Sequence, residues 1–426
     1  MTQPGPPAGV AAADPILRRW RNAVFVIFWL TGFIFASWAT RVPNVRDILD
    51  ASTSQMGVLI FGLAAGSVLG LFGSSHVIAR LGATTTILIC LSMASLGLVL
   101  VGLVSTFVPG LAILFVALMA LGVGYSITDV AMNLSGAANE RQIGRTLMPI
   151  FHAMFSVGTM VGAGFGALLE YLRVPIGVHL VGVGLAAIVT TRIAARFLQP
   201  AEHPGEDEPA ERPAGGRAAV DDPMADPISD TPPIDGWRGR LAVWRDPRIL
   251  LIGLIVLGMA FAEGSANDWL SLSMVDGYGI TNAGGAAMFG VFVTAMTLGR
   301  LFGGKVLDRF GRVPVLRGTA VLAVVGLALV ILGPNLAVAA VGVVLWGLGA
   351  SLGFPVGMSA AADDPRTATA SVAAVATIGY FAFLIGPPLI GILGEQVGLL
   401  NAFWVVGVLA VIAGLCAPAA REPTAR

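Results

Sequence analysis

The sequence predicts an all-α membrane protein of twelve transmembrane helices in two six-helix halves. Three observations predict it: a lipid-like composition, the spacing of the apolar runs, and an internal repeat. Of the 426 residues, 56% are hydrophobic and 12% charged, where soluble domains carry roughly 25% charged residues. So few charges cannot coat a body of this size in water, and the surface is expected to face lipid. The 55 glycines suit close helix–helix approach in a bilayer. A formal net charge of +0 removes the bulk electrostatic argument for a nucleic-acid partner.

A spanning helix needs roughly 20 apolar residues. The first six candidates are 21–40, 55–78, 85–104, 109–132, 147–169 and 175–197, numbered here spans 1 to 6. Spans 7 to 12 are 249–270, 284–303, 315–333, 336–359, 371–394 and 399–418. The run near Trp20 lacks a small-x-small cleavage site, so it reads as span 1 and not as a removable leader. The domain reading is a disordered leader (1–19), an amino-terminal half (20–198), a linker (199–247), a carboxy-terminal half (248–419) and a tail (420–426). The linker is rich in proline and acid, including Pro204, Pro209, Glu206, Asp207 and Glu208, and buries too little apolar surface to offset its ordering entropy.

Basic residues set the orientation. Only Arg41, Arg46 and Arg173 fall in the odd-numbered connections, whereas Arg80, Arg141, Arg145, Arg192, Arg196, Arg248, Lys305, Arg309, Arg312 and others lie on the opposite side. The positive-inside rule then places both termini and the linker in the cytoplasm of a multi-pass inner-membrane protein. The repeat aligns Gly70–Gly82 with Gly299–Gly311, Gly166–Glu170 with Gly391–Glu395, and Ala36–Trp38 with Asn267–Trp269. Repeats of this kind build transporters that rock around a central site.

The loop between spans 8 and 9 reads Gly304-Lys305-Val-Leu-Asp308-Arg309-Phe-Gly311-Arg312. It resembles the G-x-x-x-D-R-x-G-R loop motif of the major facilitator superfamily, and the resemblance covers essentially the whole chain. It implies that superfamily's fold, with a central cavity lined by spans 1, 4, 7 and 10. Asp308 is expected to pair with nearby arginines, making a latch with Arg309 and Arg312 on the cytoplasmic side. The amino-terminal copy has Ala79 in place of the acid, so no latch is expected there. A narrower set, Ser37-Trp38-Ala39-Thr-Arg41-Val-Pro43, Asp129 to Asn133, Glu140, Arg145, His152, Glu263 and Asp268-Trp269, resembles the fucose-permease-like branch.

Ionisable groups inside spans are costly, and each is a functional candidate. Glu263 lies about fourteen residues into span 7, roughly 21 Å from its cytoplasmic end, and is a candidate proton carrier. Asp129 and Asn133 are one turn apart on span 4 and share a face. With His152, and with Arg145 nearby, they read as a cluster for solute, proton relay or an inner gate, or as an inter-helix network. Arg41 and Asp268 end spans 1 and 7 and are read as an outer-gate ion pair. Tyr125, Asn267, Trp38, Trp269, Tyr380 and Trp346 are candidates to contact a sugar-like solute, with interface anchoring as the alternative for the aromatics. Gly158, Gly162, Gly164 and Gly166 form a small-residue face on span 5, and Gly386-Pro387-Pro388 is expected to kink span 11.

No phosphate loop, zinc motif or nucleophile elbow is present in the sequence, so an enzyme is not expected and no metal or cofactor is called for. Cys90 and Cys416 sit in apolar runs and read as core residues. The expected function is secondary active transport of a small solute, proton-coupled, by a monomer in the lipid bilayer. Proton-driven efflux is the alternative, and a transporter-like sensor a distant one.

Overall fold

A computed structural model describes residues 14–199, 243–364 and 366–422, and no strand occurs among them. Residues 1–13 of the expected leader, 200–242 of the linker and 423–426 of the tail lie outside the described residues. Span 1 is Pro15–Ala39 and is followed by a short helix, Val42–Leu49. Spans 2 and 3 form one run, Thr53–Phe107, broken at Gly82. Span 4 is Leu111–Ile143, span 5 Met148–Tyr171 and span 6 Ile176–Ala195. Span 7 is composite, with an α-helix (Pro247–Ser265), a π-helical turn (Ala266–Leu270) and a second α-helix (Ser271–Tyr278). Span 8 is Asn282–Phe310 and span 9 Arg312–Leu332. Span 10 comprises Leu336–Ala350 and Gly353–Ala361, span 11 is Ala368–Val397, and span 12 comprises Leu399–Ala402 and Trp404–Cys416. Among the described residues, eleven runs are long and apolar enough to cross a membrane; the two arms on either side of Gly82 raise the count to twelve. Span 11 continues through Pro387 and Pro388 as one helix.

Local chemistry fixes the helix ends. Asp14 accepts a hydrogen bond from the Ile16 amide (2.8 Å), with Pro15 in the first turn of span 1. Ser52 and Gln55 close a reciprocal capping box at the start of span 2. The breaks between spans 2 and 3 and between spans 8 and 9 fall on Gly82 (φ 72°, ψ 161°) and Gly311 (φ 76°, ψ 169°). These are equivalent positions of the repeat, held in nearly the same conformation, which is open essentially only to glycine. The repeat read in the sequence is therefore a repeat of backbone geometry.

The halves assemble by close approach of small residues. On span 5, Gly158, Gly162 and Gly166 face Trp29, Phe33 and Thr40 of span 1, while Gly164 points to open space. Across the two halves, span 2 packs on span 11 and span 5 on span 8. At Gly57 an added Cβ would lie 3.0 Å from the Pro387 carbonyl oxygen and 3.2 Å from the Gly391 Cα. The described chain ends at Asp14, Gln199, Val243 and Glu422 mark one face of the molecule, called here the linker face; the opposite side is the far face. Among the described residues, three hydrogen bonds join the halves, all at the far face. Arg46 Nη1 donates to Asp276 Oδ1 (2.6 Å), Asn282 Nδ2 to Asp47 Oδ2 (2.9 Å), and the Ser54 amide to Glu395 Oε2 (3.1 Å). Among the described residues, the hydrogen-bonded clasp between the halves lies at this end.

Candidate functional site

Between the halves lies a cavity of ≈ 240 Å³. Span 4 contributes Tyr125, Ser126 and Asp129; the π turn of span 7 contributes Asn267 and Asp268; span 11 contributes Tyr380. Phe35 of span 1, Phe383 of span 11 and an apolar strip of span 2 close the remaining sides. The expected lining by spans 1, 4, 7 and 10 is corrected to spans 1, 2, 4, 7 and 11. Span 10 supplies none of the lining because its helix breaks at Ser351–Leu352 and its Trp346 is packed between Phe292 and Phe403 in the core.

The π turn is what presents two consecutive polar residues. Successive positions of an α-helix point about 100° apart, and a π turn widens the spiral locally, as such turns often do at functional sites. Here Asn267 and Asp268 both line the cavity, while the next residue, Trp269, is fully buried. Trp38, its counterpart in the repeat, is 2% exposed. Both tryptophans are therefore core residues, which corrects their expected place in the cavity.

The Asp129 cluster forms only in part. Asn133 Nδ2 donates to the Asp129 backbone oxygen (2.8 Å) and lies 3.5 Å from Oδ1. His152 instead sets its ring edge-on to Phe28 (centroids 5.3 Å apart), and Arg145 is exposed in the connection between spans 4 and 5. Depth explains the separation. Span 4 runs on to Ile143, so Asp129 lies roughly 21 Å from its linker-face end, whereas His152 is roughly 6 Å into span 5.

Glu263 has a partner that the sequence reading missed. Arg300 of span 8 donates from Nη2 to Glu263 Oε2 (2.7 Å) and from Nε to the Ser351 carbonyl at the break of span 10 (3.2 Å). Arg300 falls inside the aligned repeat segment Gly299–Gly311, just before the loop motif begins at Gly304. A lone arginine within an apolar run was the signal for it.

The expected Arg41–Asp268 gate is also corrected. Arg41 is 1% exposed and is committed to its own half. It forms an ion pair with Glu170 of span 5, donates from Nε to His179 Nδ1 (2.9 Å) and donates from Nη2 to the Val174 carbonyl (3.1 Å). Asn44 Nδ2 completes the carboxylate (3.0 Å). The glycine face of span 5 brings Glu170 beside Arg41, while Asp268 turns into the cavity.

The latch is likewise relocated. Asp308 and Arg309 are exposed, and among the described residues Asp308 makes no ion pair. The acid that gathers arginines at the linker face is Asp363, after span 10. It accepts two hydrogen bonds from Arg312 Nη1 (2.8 and 2.9 Å) and one from Arg248 Nη2 (2.8 Å).

Known proteins share this architecture. The family model described as "Major Facilitator Superfamily" matches residues 24–379 and 269–426. An uncharacterized transporter, y4wD of Sinorhizobium fredii, is 28% identical over 413 residues, covering 96% of this chain and 99% of its own. The solved structure of the nucleoside transporter NupG superposes with a TM-score of 0.68 at 15% identity, covering 96% of this chain and 99% of that one. A variant of the E. coli fucose:proton symporter FucP superposes with a TM-score of 0.59 at 14% identity, covering 95% and 98%.

Proposed function

The chain belongs to the Major Facilitator Superfamily, and from that premise we propose that it is a proton-coupled secondary transporter carrying a small polar solute across the cytoplasmic membrane by alternating access. The observation that carries this reading is the cavity itself. It lies between two repeat-related halves, holds two carboxyl groups, and among the described residues the halves are hydrogen-bonded to each other only at the far face. The excess of arginine at the linker face supports a cytoplasmic linker face, and with the halves tied at the far face the conformer is read as inward-open. The names of the two solved neighbours, a nucleoside transporter and a fucose:proton symporter, support a small hydroxylated solute and, for the second, a proton as co-ion. The apolar strip of Phe35, Leu63, Val68 and Phe383 favours, as second reading, export of an amphipathic solute.

The Glu263–Arg300 pair is the proposed proton-sensitive element. Protonating Glu263 removes the charge that holds Arg300, and with it the tie between span 7 and the break in span 10. Reconstituted protein is expected to concentrate a solute from a panel of sugars, amino sugars, nucleosides and small amines under an inward proton gradient. Glu263→Gln is expected to abolish accumulation while exchange continues. Undiminished accumulation by Glu263→Gln and by Asp129→Asn refutes proton coupling at these sites, and flux of amphipathic cations alone moves the reading to export.

A further inference from the structure

The cavity presents two carboxyl groups without a protein cation beside them. Asp129 and Asp268 line it, and no arginine, lysine or histidine does. Arg300, an intramembrane cation close by, is engaged by Glu263. Among the described residues, the side chain of Asp129 meets one donor, the Asn133 amide at the long distance of 3.5 Å, and Asp268 meets none. Asp129 is exposed to the cavity space and Asp268 is half-buried; once a solute displaces the water around them, an ionised carboxylate is stable only when paired, and otherwise takes up a proton. The aromatic rings of Phe35, Tyr125, Tyr380 and Phe383 surround the same space, and ring faces attract cations. The remaining polar groups, among them Asn267 and Ser126, can hydrogen-bond a solute without contributing charge.

We infer that the transported solute carries a positively charged nitrogen, held between the Asp129 and Asp268 carboxylates and flanked by the cavity's aromatic rings. This rests on the transport reading above and narrows its substrate to small organic amines. Neutral sugars and nucleosides lack the group that these two acids require. A cation that occupies the carboxylates also competes with protons for them, so substrate and proton exchange at one place.

The test uses matched pairs that differ only by ammonium against hydroxyl: glucosamine with glucose, putrescine with butanediol, and phenethylamine with phenethyl alcohol. Purified full-length protein in detergent is melted with each compound, because a ligand that binds only the folded state raises the melting temperature. At least one amine is expected to raise it while its hydroxyl partner does not. The effect is expected to fall at least tenfold in apparent affinity in Asp129→Asn and Asp268→Asn, and to vanish in the double variant. If the variants do not fold, the wild-type pairs decide alone. Equal stabilisation by both members of a pair, no stabilisation by any amine, or an amine preference that survives the double variant overturns the inference. Liposome flux separates it from the broader reading. Transport of a neutral partner and not of the amine leaves the transporter standing and removes the cation site. Carboxylate-dependent amine binding without flux does the reverse.

Discussion

Replacing Arg41 by methionine tests whether the amino-terminal half is held by its buried charge network. The change removes three interactions at once, the ion pair with Glu170, the bond to His179 Nδ1 and the bond to the Val174 carbonyl, and leaves a carboxylate that Asn44 alone then satisfies. Removing one partner of a buried pair costs about 3–5 kcal/mol. Glu170 keeps 14% of its side-chain surface, so water recovers part of the loss, and the lower end, about 3 kcal/mol, is expected. Glu170→Met should cost a similar amount, since it strands the guanidinium. The double variant should be far less damaged than the sum, because apolar replacement of a whole buried pair is close to neutral. The assay is a double-mutant cycle by denaturant titration in mixed micelles, and the expected coupling is about 2 kcal/mol or more. A coupling below about 0.5 kcal/mol, the scale of a solvated surface pair, refutes the reasoning.

Three further outcomes follow from the same geometry. Asp363→Ala strands Arg312 and should destabilise the carboxy-terminal half by about 2–3 kcal/mol, whereas Asp308→Ala should stay within about 0.5 kcal/mol; equal effects in thermal melts would restore Asp308 as the latch. Gly57→Val pushes span 2 off Pro387 and Gly391 and should weaken far-face closure, so a Ser67→Cys reporter on that background should react faster with an impermeant maleimide added at the far face. Unchanged labelling counts against the clasp. Gly82→Ala and Gly311→Ala meet no neighbouring atom, yet each should cost about 1–3 kcal/mol from backbone conformation alone, and a neutral result would show that the breaks can be made without glycine.

The fold was largely legible because apolar length and arginine asymmetry are one-dimensional signals. Gly82 and Gly311 were visible as aligned glycines before their shared geometry was known. Within the cavity, Tyr125, Asp129, Asn267 and Tyr380 were anticipated because a polar residue in an apolar run stands out. Rotation about the helix axis was not legible. Spans rich in apolar residues on every side give no amphipathic phase, so Trp38 and Trp269 looked as suited to the cavity as Tyr125. Span 7 added a second difficulty, since its π turn shifts the phase midway and carries Asp268 from the expected gate into the cavity. Arg300 was missed for another reason: its motif context suggested a loop, although its place within span 8 fixes its role as the partner of Glu263.

The π turn at Ala266–Leu270 has a mechanical consequence. A π turn holds one peptide unit more than the α-helical ladder needs, and that surplus can migrate along a helix like a fold in a carpet, each step turning the residue it passes. Its passage through Ser271–Tyr278, the segment that carries Asp276 to Arg46, would turn each residue it passes by about 100° with little loss of backbone hydrogen bonds. Occupancy of Asn267 and Asp268 and release of the far-face clasp would then be two ends of one screw.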